Sequence, residues 1–191
     1  MSKRNKIEIL ALMDRSGSMH HIMNEAVGAF NSFIEKQRAL DVNDKVKVTL
    51  AAFDDQYDII FYRVKLEEIP TLTLDMIPTR GMTALYDSIG KLITRAKYPK
   101  RDTILLIQTD GFENASVEFT NDTVRKLIKK KEKAGWDVNF IGAGIDETQA
   151  MNMGIQKDKF IGVAASSVGM AAYASSLTSA TSAYRTSKSS V

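Results

Sequence analysis

The chain contains no cysteine in its 191 residues. This excludes disulfides and thiolate metal ligands, and it fits a reducing compartment. Histidine occurs only twice, at the adjacent positions His20 and His21. Neighbouring residues on a helix face different directions, so the pair reads as surface histidine rather than a transition-metal site. No apolar run approaches the length of a membrane span. The N-terminus, MSKRNKIEILALMD, is basic and then apolar, like a signal peptide. Its apolar run covers only Ile9 to Met13, Glu8 interrupts it, and no small-residue cleavage site follows, so the chain reads as cytoplasmic. A phosphate-binding loop is also missing, because Gly142-Ala143-Gly144 lacks the Lys-Ser/Thr ending.

What remains is an ordinary globular composition. Hydrophobic residues make up 44% and charged residues 26%, enough for one domain with a real core. A net charge of +3 is small for this length, so the pI near 9.0 does not by itself argue for nucleic acid. No internal repeat is visible.

Ile7 to Met13 reads as a buried strand. Ile22, Met23, Ala26, Val27, Phe30, Phe33 and Ile34 recur at helical spacing and predict a helix from about Ser18 to Leu40. Val46 to Phe53 and Tyr57 to Val64 are two strands joined by Asp54-Asp55-Gln56, a link short enough to require an antiparallel hairpin. Leu66 to Pro78 reads as loop with one helical turn. Leu85, Ile89, Leu92 and Ile93 mark a helix closed by Tyr98-Pro99. Thr103 to Thr109 is the most apolar strand. Helix 120–134, strand 137–144, a short helix at 146–153 and a last strand at 159–163 follow. Met170, Tyr173, Leu177, Ala180 and Tyr184 form a stripe predicting a terminal helix that packs on the sheet. The expected single domain is 1–185, with 186–191 frayed. Alternating strands and helices imply an α/β sandwich, mostly parallel, with ligands bound beyond the carboxyl ends of the strands.

Three stretches sit where such a fold places chemistry. Asp14-Arg15-Ser16-Gly17-Ser18 follows the first strand and puts a carboxylate and two hydroxyls at i, i+2 and i+4. Gly81-Met82-Thr83 opens the central helix, and Thr109-Asp110-Gly111 ends the central strand. Hard oxygens in this number suit Mg²⁺ or a similar divalent ion. Each stretch alone has a plainer reading: Thr83 as a helix N-cap, and the Asp, Ser and Gly residues as turn formers.

Taken together and in order, the three stretches resemble the metal-ion-dependent adhesion site (MIDAS) of the von Willebrand factor A domain family, over about residues 5 to 185. The resemblance implies a doubly wound, mostly parallel six-stranded sheet with one antiparallel edge strand and helices on both faces. It implies a Mg²⁺ site (Mn²⁺ and Ca²⁺ being alternatives) built by Asp14, Ser16, Ser18, Thr83 and Asp110, and a non-enzymatic module. In such a module a partner protein's Asp or Glu completes the metal's shell. The missing cysteines and export signal favour the intracellular bacterial or viral kind over extracellular adhesion.

Glu113 and Asn114 are candidates for a partner-binding rim, or else solvated loop. Asp54-Asp55 adds negative potential near the site or simply turns the hairpin, and Asp87 is expected to hold the helix start by hydrogen bonding. Two other functions stay open. A metal-assisted hydrolase or phosphoryl-transfer enzyme is compatible with Mg²⁺ at strand ends. Against it, the position two after Asp14 is Ser16 rather than an acid, and no His or Cys nucleophile partners the site. Nucleic-acid binding would use Arg125, Lys126, Lys129, Lys130, Lys131 and Lys133, which otherwise form the solvated face of a helix whose inner face is Val124, Leu127 and Ile128.

Overall fold

A computed structural model describes residues 5–96 and 102–189. Six strands form one sheet in the order β3-β2-β1-β4-β5-β6: β1 Asn5–Asp14, β2 Asp44–Phe53, β3 Tyr57–Lys65, β4 Asp102–Thr109, β5 Asp137–Ala143 and β6 Phe160–Val163. All neighbours are parallel except β2 and β3, the hairpin that the three-residue link requires. Five helices cover the sheet: α1 Met23–Arg38, α2 Leu85–Arg95, α3 Asn121–Lys133, α4 Glu147–Asn152 and α5 Ser167–Ser189.

Period-two alternation divides the strands between two cores. Ile7, Ile9, Ala11 and Met13 of β1 join Phe30 and Phe33 of α1 and Leu177 of α5 on one face. Leu10 and Leu12 join Leu85 and Ile89 of α2 and Val124 and Ile128 of α3 on the other. Each fully buried large side chain, such as Phe33 at 0% exposure, contributes about 1.5–3 kcal/mol relative to leaving it in water. Sheet order reverses between β1 and β4, which pair directly from Ile7–Asp102 to Met13–Gln108. The carboxyl ends of these two strands therefore form the crevice at the switch point.

Several elements differ from the sequence expectation. The first helix begins as a 3₁₀ turn, Gly17–His21, and becomes α-helical only at Met23. The segment after β3 holds two 3₁₀ turns, Leu66–Glu68 and Leu74–Met76, instead of one helical turn. Helix α2 ends at Arg95, and Tyr98-Pro99 lies outside the described residues. The fraying expected from residue 186 is replaced by helix through Ser189. Its anchor is Arg185, 2% exposed, whose guanidinium donates to both carboxylate oxygens of Asp44 at 2.9 and 3.0 Å and to the Gln37 carbonyl at 2.6 Å. Of the terminal stripe, Leu177 is buried and Tyr184 partly so, while the side chains of Met170 and Tyr173 lie outside the described residues. Among the described residues no helix is long and apolar enough to cross a membrane.

Candidate metal centre

Three loops meet beyond the ends of β1 and β4, and backbone hydrogen bonds tie them together. Gly17 N–H donates to the Gly81 carbonyl at 3.2 Å, Arg80 N–H to the Arg15 carbonyl at 2.9 Å, and Asn114 N–H to the Thr83 carbonyl at 3.0 Å. Gly81 sits at φ +65, and a Cβ there would stand 2.3 Å from Asp55 Oδ1. Only glycine meets both demands.

The side-chain oxygens converge accordingly. Ser16 Oγ and Ser18 Oγ are 3.2 Å apart, and Ser18 Oγ donates to Asp110 Oδ1 at 2.7 Å. A methyl on Gly111 would stand 3.2 Å from Thr83 Oγ1 and 3.6 Å from Ser18 Oγ, so both hydroxyls border this glycine and the Thr83 hydroxyl would have to yield slightly to a side chain. Asp14 is fully buried. Its Oδ1 accepts the Ser16 N–H at 2.7 Å and its Oδ2 accepts the Thr109 hydroxyl. The plainer reading of Thr83 fails, because α2 is preceded by Ala84 and has no side-chain cap.

Burial pushes the Asp14 carboxyl up to about 6, although hydrogen bonds from Thr109 and Ser16 pull the other way; Asp110 adds a like charge. Burial also raises Asp110, against the hydrogen bond from Ser18 and the charge of His21. A fully buried carboxylate and a half-buried one, each disfavoured as an anion by its surroundings, favour a compensating cation.

The donor set is two carboxylates and three hydroxyls, with no sulfur or imidazole. This chemistry fits a hard divalent ion. Among the described residues no group of three or more His, Cys, Asp or Glu is placed to hold a metal, so a site here depends on the hydroxyls. His20 and His21 are both exposed, and His20 Nδ1 lies 3.2 Å from Thr79 Oγ1.

Residues around the donors have roles that sequence reasoning did not assign. Asp54 is fully buried between Arg15 and Arg80, at 3.1 and 2.6 Å. Burial pushes its carboxyl up, but the Gln56 N–H, Arg80 and Arg15 outweigh that and hold it below the ordinary value. Asp54 is therefore neutralised by arginines, and it braces the first two loops. Glu113 and Asn114, expected as rim or solvated loop, are instead clamps. Glu113 accepts from Tyr86 N–H, Ala115 N–H, Ser116 N–H and the Ser116 hydroxyl at 2.7–2.9 Å. Asn114 Oδ1 accepts the Thr83 N–H at 2.8 Å. Asp87, expected to hold the start of its own helix, instead accepts the N–H groups of Val117, Glu118 and Phe119 at 2.7–3.0 Å. Thr109, quoted in the third stretch without a role, is the donor that fixes Asp14. Its one legible signal is its place beside Asp110 at a strand end.

The lysine-rich helix α3 exposes Arg125, Lys126, Lys129, Lys130 and Lys133. Lys126 pairs with Asp122 at 2.6 Å, and the Lys131 ammonium lies over the Trp136 ring at 4.4 Å. Val124 and Ile128 are buried beneath it.

Neither a protein-family model nor a curated protein sequence matches the chain. Solved structures do match. The von Willebrand factor domain of the type V pilus tip protein Mfa5 from Porphyromonas gingivalis aligns over 92% of this chain and 96% of its own, with TM-score 0.64 and 9% identity. The chain has a von Willebrand factor A fold. The PilB minor pilin of Streptococcus sanguinis shares that fold at TM-score 0.68 and 13% identity, over 97% of this chain and 63% of the pilin. Proximal thread matrix protein 1 of the mussel byssus, solved with a zinc-occupied MIDAS motif, aligns at TM-score 0.68 and 14% identity over 94% of this chain. The chain spans 46% of the mussel protein's length. In this von Willebrand factor A fold, the MIDAS-like stretches of the sequence are the three loops at the switch point.

Proposed function

We propose that this chain is a non-enzymatic, Mg²⁺-dependent protein-binding module of the cytoplasm, acting in the assembly or regulation of a protein complex of bacterial or viral type. The carrying observation is the convergence of Asp14, Ser16, Ser18, Thr83 and Asp110 from three loops onto one crevice. The zinc-occupied MIDAS of the mussel protein supports reading that crevice as a metal centre.

Ser16, Ser18 and Thr83 would hold the ion, with Asp14 and Asp110 supplying the negative charge. When bound, Mg²⁺ supplies an electrophilic centre that accepts an oxygen from a partner's Asp or Glu. The chain's own residues set the conditions for this. Thr109 and the Ser16 N–H hold Asp14 in place, Ser18 orients Asp110, and Gly111 keeps the approach open. A donor set rich in neutral hydroxyls leaves the ion short of negative charge, so an incoming carboxylate is favoured.

Calorimetric titration with Mg²⁺ and Mn²⁺ tests this reading on the wild type and on Asp14→Ala/Ser16→Ala. Binding by the wild type that the variant loses is the expected result, followed by partner capture that EDTA abolishes and Mg²⁺ restores. No binding by the wild type overturns it. Association through α3 would instead survive EDTA and weaken steeply with salt.

A further inference from the structure

Large apolar side chains are exposed on two of the segments that form the crevice. Met82 is 56% exposed and directly precedes Thr83, and Phe112 is 63% exposed and directly follows Gly111. The segments that carry them are in contact through the reciprocal Thr83–Asn114 hydrogen bonds. Val117, 89% exposed, lies further along the second segment. Single exposed apolar residues are common and need no explanation. Met82 and Phe112 differ in lying on two of the candidate donor segments, each fixed on both sides by hydrogen bonds. Met82 lies between the Gly81 carbonyl, which accepts the Gly17 N–H at 3.2 Å, and the Thr83 N–H, which donates to Asn114 at 2.8 Å. Phe112 lies between Gly111, whose N–H donates to Thr109 Oγ1 at 3.1 Å and whose carbonyl accepts from Gln149 at 3.2 Å, and Glu113, which accepts four hydrogen bonds. An apolar side chain presented on a pre-ordered loop loses little freedom when it is covered.

We infer that the metal centre and the apolar pair Met82 and Phe112 form one composite site. Its occupant is a protein segment that presents an acidic side chain next to an aromatic or branched apolar one. This rests on the metal-binding reading above. Charge selects that occupant over a polyanion. Within residues 79–83 and 110–117 the sole cationic side chain is Arg80, and its guanidinium already donates to Asp54 at 2.6 Å and Gln56 at 2.9 Å. On these two segments a phosphate backbone would find no free counter-charge, and the first loop adds just the exposed His20 and His21, whereas a single carboxylate needs only the ion. The neighbouring apolar group then covers Met82 and Phe112.

The test compares two small carboxylates, acetate and 3-phenylpropanoate, on the isotope-labelled Mg²⁺-loaded chain, following the amide resonances of Thr83 and Gly111. Covering roughly 55 Å² of apolar surface at about 25 cal/mol per Å² corresponds to about a tenfold gain. The expected result is that 3-phenylpropanoate saturates at about tenfold lower concentration than acetate. Met82→Ser/Phe112→Ser should erase that gain while leaving the acetate titration unchanged, which also reports that the variant is folded. Equal affinities of the two carboxylates for the wild type overturn the composite site and leave the metal reading standing. Binding of 3-phenylpropanoate that persists in EDTA overturns it as well, because the apolar pair then acts without the metal. If neither carboxylate shifts the resonances, the metal reading falls and takes this inference with it.

Discussion

In chelator at pH 7.5, Asp14→Asn is expected to stabilise the protein, although it removes a conserved-volume carboxylate from the centre of the candidate site. Asp14 is fully buried, and its carboxyl is raised from 3.8 to about 6. The fold therefore prefers the neutral acid. The stability this preference contributes is complete below about pH 3.8 and is lost as the pH rises through about 6. A rise from 3.8 to about 6 corresponds to roughly 3 kcal/mol at neutral pH. Asparagine cannot ionise and escapes that penalty. Its carbonyl can still accept the Ser16 N–H, and its amide can donate to Thr109 Oγ1, whose hydroxyl then turns to the Gly111 carbonyl 3.2 Å away. Losing hydrogen bonds to a charged group returns about 1 kcal/mol. The net gain is about 2 kcal/mol, or roughly 4–8 °C in Tm for a chain of this size. Mg²⁺ at a hundred times its Kd adds about 2.7 kcal/mol to the wild type and little to the variant, which reverses the order. Urea denaturation of both proteins between pH 4 and 8, with EDTA and with Mg²⁺, checks each part. A variant less stable than wild type in EDTA at pH 7.5, with a gap that does not change with pH, would refute the reasoning.

Three further outcomes are expected. Among the described residues, Asp54→Asn leaves the buried Arg15 guanidinium with Asp58 as its one carboxylate partner and should cost about 3 kcal/mol. Because the Asp54 carboxyl is held below its ordinary value, the stability it adds is present above about pH 3.8 and is lost as pH falls further, so this variant's deficit should shrink in acid; metal affinity measured by calorimetry should drop about tenfold. Glu113→Ala removes an acceptor of four hydrogen bonds; amide exchange across 114–119 should accelerate, and Mg²⁺ affinity should fall although Glu113 is not a donor. Arg185→Ala should cost about 3–5 kcal/mol in chemical denaturation by stranding the buried Asp44, whereas a frayed tail would show no change.

The alternation of strand and helix patterns was legible from residue order alone, because buried faces repeat at fixed periods. Ile9-Leu10-Ala11-Leu12-Met13 has no polar face and must lie in the middle of a sheet. Three residues between β2 and β3 admit only a hairpin. The three stretches that meet at the switch point were legible as well, since hydroxyl and carboxylate residues at strand ends follow a local pattern. Helix ends were less so: Arg185 looks like a solvated tail residue until Asp44 and Gln37, far away in the chain, supply its partners.

Sequence by itself determined the elements, the sheet's mixed direction and the residue types that could bind an ion. Tertiary structure alone decided what the surrounding polar residues do. Asp54 reads as a turn residue or a source of negative potential, Glu113 and Asn114 as rim or solvated loop, and Asp87 as a stay for its own helix, and an isolated sequence offers no means of telling a ligand from a brace. The difference lies in which backbone N–H groups and arginines stand within hydrogen-bond reach, and those come from other loops. The same holds for Asp14, whose weakened acidity comes from its burial at the end of β1. Local chemistry is written in residue type and spacing, whereas desolvation and long-range pairing exist only once the chain has closed around them.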